Sequence, residues 1–138
     1  MCLNKLEKYA PYAVVPLRVV VGLAFVFHGY GKLFGGIAGT AGFFASVGIP
    51  AAMFFAWVVA LIEFFGGIAL VLGLFTRYAA GLLSVVMLVA IFKVHLAKGF
   101  SGPGGYELPL VYLAGTLALF LRGAGVWSLE RVLFKKEC

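Results

Sequence analysis

Residues 11–34 read PYAVVPLRVVVGLAFVFHGYGKLF. Three ionisable side chains interrupt this apolar run: Arg18, His28 and Lys32. A helix needs roughly 20 residues to cross the hydrocarbon core of a bilayer, and this run is long enough. Three similar windows follow. Residues 51–75 hold only Glu63, residues 78–97 hold Lys93 and His95 near their end, and residues 108–121 hold no charge. The last window is short and must extend to Glu107 and Arg122, whose long side chains can reach the interface. The spacing predicts helices over residues 12–34, 51–75, 77–97 and 107–122.

The bulk composition agrees. Of the 138 residues, 64% are hydrophobic and 12% charged. A soluble domain is about half apolar and about a quarter charged, so a core of this size cannot hide so much apolar surface. The expected fold class is an all-α membrane protein: one domain over residues 1–138, an antiparallel bundle of four transmembrane helices. A short amphipathic helix over residues 128–136 is expected after it. Ser128 is its N-cap, Leu129, Val132, Leu133 and Phe134 lie on lipid, and Arg131, Lys135 and Lys136 face headgroups. The basic pair Lys5 and Lys8 resembles the start of a signal peptide. The apolar stretch behind it is too long, contains Arg18 and lacks a small-residue cleavage site, so it reads as a retained helix.

Basic residues near helix ends set orientation. Lys5, Lys8, Arg77, Arg122, Arg131, Lys135 and Lys136 fall on one side, which places both termini in the cytoplasm. The net charge of +6 then reflects contact with anionic lipid. No basic stripe with interleaved aromatics stands outside the membrane segments, so nucleic acid is not an expected partner. Cys2 and Cys138 would both face a reducing compartment, where a structural disulfide is not expected. Residues 35–48, GGIAGTAGFFASVG, read as a glycine-rich connector at or in the membrane surface, and residues 98–105, KGFSGPGG, as a second outer loop.

A charge at mid-bilayer costs roughly 2.5–3.5 kcal/mol on insertion scales, so the intramembrane charges should pair or face a polar cavity. At about 100° per residue, Arg18, Gly22, Phe25, Gly29 and Lys32 share one stripe, with His28 at its edge. Glycines there let a neighbouring helix come close. Arg18 is expected to reach Glu63. His28, Lys32, His95 and Glu107 are expected at the outer level, while Lys93 is expected to point away from them. The pocket candidates are therefore Arg18, His28, Lys32, Glu63, His95 and Glu107. Two readings stand side by side. Arg18 and Glu63 form a buried structural pair, the histidines donate to backbone carbonyls and Glu107 favours its helix dipole; or the groups together line an outward-facing polar pocket.

No HExxH, P-loop or GxSxG occurs, and Ser46, Ser84, Ser101 and Ser128 have no His–acid pair nearby in sequence. No metal triad of usual spacing is present. Bis-histidine haem ligation by His28 and His95 is conceivable. A quinone headgroup, held by imidazole and ammonium donors among aromatic walls, suits the residues better.

The sequence resembles the DoxX family of small bacterial membrane proteins over nearly its whole length. The likeness runs through Leu17-Arg18 and Gly22, His28-Gly29 and Lys32, and Gly48-Ile49-Pro50. It continues through Glu63, Gly66-Gly67, Leu72-Gly73-Leu74, Arg77, His95 and Gly105-Tyr106-Glu107. It closes on Gly123-Ala124-Gly125 and Trp127-Ser128-Leu129-Glu130, with Glu130 where the family more often has Asp. The resemblance implies a four-helix protein of the bacterial inner membrane, a subunit of a quinone-linked oxidoreductase system, with other redox proteins or a second copy as partners. The alternatives are a non-enzymatic scaffold or assembly partner and, more weakly, an oligomeric transporter or channel. No cysteine lies within the membrane segments to carry thiol chemistry directly.

Overall fold

A computed structural model of the chain describes residues 4–136. Cys2 and Cys138 lie outside the described residues. The described chain is helical, with no strand among these residues. A 3-10 helix, Asn4–Tyr12, leads into α1 (Val14–Gly35). There follow α2 (Ile37–Ser46), α3 (Ala52–Leu72), α4 (Thr76–Ala90), α5 (Glu107–Arg122) and α6 (Leu129–Phe134). A π-helical turn, Ile91–His95, and a 3-10 turn, Leu96–Lys98, prolong α4.

Among the described residues, three stretches are long and apolar enough to cross a membrane: Asn4–Gly35, Ala52–Leu72 and Thr76–Lys98. The fold is that of an all-α membrane protein. At 1.5 Å rise per residue, the 16 residues of α5 span about 24 Å. Its first and last residues, Glu107 and Arg122, are both exposed.

Helix α1 packs along α3, and α4 along α5. Their shared core holds Phe25, Leu70, Leu83, Met87 and Leu119 among others. The α1–α3 seam is made of glycines. A Cβ on Gly29 would fall 2.3 Å from the Phe64 backbone nitrogen, and one on Gly67 would fall 2.6 Å from the Gly22 carbonyl oxygen. Backbone therefore meets backbone, and the two helices lock in one register. On the other side, Ser84 Oγ donates to Thr116 Oγ1 at 2.8 Å and joins α4 to α5.

The ends are closed by local chemistry. Gly73, at φ 67°, stops α3, with Leu74 N–H donating to Ala69 O and Gly73 N–H to Leu70 O. This is the Schellman pattern, which needs a left-handed residue and favours glycine there. Arg77, at the start of α4, donates to the Phe120 and Leu121 carbonyls at 3.0 and 2.7 Å, occupying acceptors that α5 leaves open at its end.

Residues 35–48 differ from the expected connector. Ten of them form α2. Its Ala41 and Phe44 are buried with Ala56 of α3, while Gly39 and Gly42 face outward. The reason is that an apolar stripe spaced three to four residues apart supports a helix, and neither glycine has to fill space in the packed face.

Overpacking a tight core costs about 1–3 kcal/mol. Gly29→Ala and Gly67→Ala should each lower the thermal unfolding midpoint in detergent, whereas Gly42→Ala, whose added methyl meets open space, should leave it unchanged.

Candidate functional site

Two separate polar clusters occupy opposite ends of the helices. The first surrounds Arg18, which is 2% exposed. Its Nη1 donates to the Ala124 carbonyl, and its Nη2 donates to the Trp127 carbonyl at 2.9 Å. Glu130, fully buried, supplies the opposing charge. One Glu130 oxygen accepts the Thr76 N–H at 2.5 Å, and the Glu130 N–H donates to Gly73 O at 3.0 Å. Ser128 Oγ accepts the Arg131 N–H and caps α6. The cluster ties α1, the α3–α4 turn and the segment after α5 into one unit.

This corrects the expected Arg18–Glu63 pair. Arg18 lies beside Gly73, where an added Cβ would fall 2.7 Å from its guanidinium. Gly73 is ten residues from Glu63 along α3 and its cap, about 15 Å at helical rise, beyond the side chain's reach. Glu130 is the acid that sequence reasoning missed. The chain has five acids: Glu7, Glu63, Glu107, Glu130 and Glu137. Matching Arg18 to an acid at its own end of the helix would have removed Glu63 and Glu107 from contention.

The second cluster lies toward the other end of α1. Lys32 Nζ meets Glu63 Oε2 at 2.5 Å. The side chains are 23% and 5% exposed. The glycine seam causes this pairing. Gly29 sits against Phe64, so Lys32, one turn further along α1, comes level with Glu63 on the antiparallel α3. An ion pair this close balances the desolvation cost that either charge alone would carry in an apolar interior.

Both residues line a cavity of about 730 Å³. His28, Lys93, His95, Glu107 and Tyr112 also line it, among apolar walls from α2, α3 and α4. Five of the six sequence candidates thus border one space, and Arg18 does not. The His28 ring stands edge-on to Tyr112, with centroids 6.1 Å apart, and Tyr112 in turn leans on Phe25 at 5.5 Å. His95 Nδ1 donates to the Gly104 carbonyl at 2.6 Å. A carbonyl can only accept, so Nδ1 carries the proton in that bond. Glu107 is exposed at the start of α5.

Lys93 is a correction in part. It is exposed, as expected, yet it also borders the cavity. The buried stripe runs through Leu83 and Met87 of α4 and on to Ile91, and the π-turn Ile91–His95 changes the helical phase at Lys93. Such turns commonly occur at functional sites. No group of three His, Cys, Asp or Glu side chains able to hold a metal ion occurs among the described residues.

With the buried charges and their cavity in view, the likeness to known proteins becomes specific. Residues 13–96 match the profile described as DoxX. The chain belongs to the DoxX family. A Haemophilus influenzae protein is 41% identical over 97% of this chain and 100% of its own length. A Bacillus subtilis protein named "Putative oxidoreductase CatD" is 37% identical over 86% of this chain and 85% of its own. The Escherichia coli "Inner membrane protein YqjF" is 31% identical over 95% of this chain and 99% of its own. No solved structure matches the chain. In this DoxX protein the matched region contains Arg18, His28, Lys32, Glu63, Lys93 and His95, but not Arg18's acceptors after α5.

Leaving one member of a buried pair alone costs about 3–5 kcal/mol. Glu130→Ala should destabilise the protein by that order in thermal or denaturant unfolding, and Arg18→Met in the same background should recover part of the loss. Lys32→Met should destabilise through the stranded Glu63 carboxylate, and Lys32→Met with Glu63→Gln should be closer to the native protein.

Proposed function

We propose that this DoxX protein is the membrane subunit of a quinone-linked redox system in the bacterial inner membrane. In this reading α5 makes a fourth crossing, both termini face the cytoplasm, and the cavity receives the quinone headgroup. The observation that carries the reading is the Lys32–Glu63 pair opening onto an apolar cavity that His28 and His95 also border. A binding site for an apolar carrier needs mostly apolar walls with a few placed polar groups, and this cavity has that composition. The name of the Bacillus subtilis relative, an oxidoreductase, points in the same direction.

The chemistry is simple in its balance. A quinone takes up two electrons and two protons to become a quinol. The electrons come from a partner redox protein, and the protons pass through side chains at the head of the cavity. His28 and Lys32 donate hydrogen bonds to the quinone oxygens. Glu63, held by Lys32, and His95, with its free Nε2, pass protons, and Glu107 at the exposed start of α5 links them to water. Arg18 acts through the scaffold only, because it does not border the cavity and its Nη1 and Nη2 donate to Ala124 and Trp127.

The scaffold reading keeps one observation of its own. Gly39 and Gly42 on the outer face of α2 meet nothing within 4 Å, and small residues allow close helix contact in membranes.

Titration of the purified protein with short-chain ubiquinone and menaquinone, followed by tryptophan fluorescence, tests the proposal. Saturable binding is expected, with His28→Ala weakening it about tenfold, or 1.4 kcal/mol. Absence of saturable binding to the native protein, with a stable protein partner co-purifying, favours the scaffold. Equal binding by His28→Ala removes His28 from the site.

A further inference from the structure

The cavity has two unlike borders. One holds Lys32 and Glu63, which join α1 to α3, and His28, which leans toward Tyr112. The opposite border is apolar and lies between α3 and α4. Near their connecting turn these helices touch, with Gly66 against Leu83. Further along, the cavity separates them, lined by Phe55 and Val59 of α3 and by Val85 and Val89 of α4. Phe55, Val85 and Val89 are also 39%, 58% and 46% exposed. Side chains that line a cavity and are exposed at the same time mark where it opens; Phe43 of α2 and Leu108 of α5 do so elsewhere on the rim, and Phe55, Val85 and Val89 mark an opening between α3 and α4. This opening faces sideways, in the surface of two helices that are long and apolar enough to cross a membrane.

The end of the cavity away from the bilayer centre is built differently. Gly102, Gly104 and Gly105 border it there. Their loop is fastened by Tyr106 N–H to Gly99 O at 3.0 Å, Glu107 N–H to Phe100 O at 2.8 Å and His95 to Gly104 O at 2.6 Å. A held loop therefore covers the watery end, while the border formed by Phe55, Val59, Val85 and Val89 is apolar, with exposed Lys93 following one turn after Val89.

We propose that the cavity takes an isoprenoid-tailed quinone sideways from the bilayer, through the window between α3 and α4. The head lies against His28 and the Lys32–Glu63 pair, and the tail lies across Val85 and Val89 into the lipid. The inference rests on the quinone reading and adds the substrate class, a tailed carrier, and its route. A tail left in the bilayer keeps its favourable apolar environment, so the site needs to hold only the head. A water-soluble quinone gains nothing from the window.

The test compares each head with and without its tail: menaquinone-4 with menadione, and ubiquinone-2 with ubiquinone-0. Binding is measured on native protein and on Val85→Trp and Val89→Trp in lipid nanodiscs. Both valines are exposed, so a tryptophan there has room, and circular dichroism checks the fold of each variant. Native protein should bind at least one tailed quinone about tenfold or more tightly than its tail-less form. At least one tryptophan variant should lose about tenfold in the tailed form and less than about twofold in the tail-less one. Equal affinities for both forms, or folded variants that keep full affinity for the tailed quinone, overturn the lateral window and leave the quinone site standing. No binding of any of the four to native protein overturns both.

Discussion

A guanidinium buried in an apolar medium dictates much of this architecture. Arg18 cannot reach water, and lipid offers it no acceptor. The protein meets the demand with two backbone carbonyls, from Ala124 and Trp127, and with the charge of Glu130. Carbonyls are free to serve in this way at a helix end or beyond it, and residues 123–128 leave helical geometry between α5 and α6. Glu130 in turn satisfies Thr76 N–H at the head of α4, one of the donors that every helix start leaves open. One buried charge thus organises the ends of several helices at once, by hydrogen bonds rather than by side-chain packing.

The glycine seam carries this order to the other end of the molecule. Contact of backbone with backbone between α1 and α3 leaves little freedom to slide. With Arg18 set beside Gly73, Gly22 must lie against Gly67 and Val71, and Gly29 against Phe64. Lys32 then arrives level with Glu63. The ion pair at the cavity and the cluster around Arg18 are therefore coupled through rigid helix register, although no side chain connects them.

Much of this was legible in the residues. The apolar windows carried the all-α membrane class, because their length and composition leave few other solutions. The face shared by Gly22, Phe25, Gly29 and Lys32 was legible from helical periodicity alone. Partner choice was not. Depth along a helix can be read to within a turn or two, and an error of that size exchanges Glu63 for Glu130 as the counter-charge of Arg18. Glu130 was also masked by its setting, a short amphipathic segment where an acid reads as solvated. Lys93 was misplaced in part, for a different reason. A π-turn shifts the phase of the residues within and after it, and it is invisible to a 100° count. Helix α2 was masked by its glycines, which read as a loop although the apolar spacing of Ala41 and Phe44 supports a helix.

The contacts of Arg18 also have a consequence in time. The residue and its first acceptor, Ala124, are 106 positions apart. Chains emerge from the ribosome at about 5–20 residues per second, so roughly 5–20 seconds separate the appearance of the two. During that interval the first apolar segment carries a cation with no permanent home, and it must wait near the headgroups or in the insertion machinery. Only when the last segment arrives can the first settle at its final depth. For this protein, membrane insertion closes at its beginning.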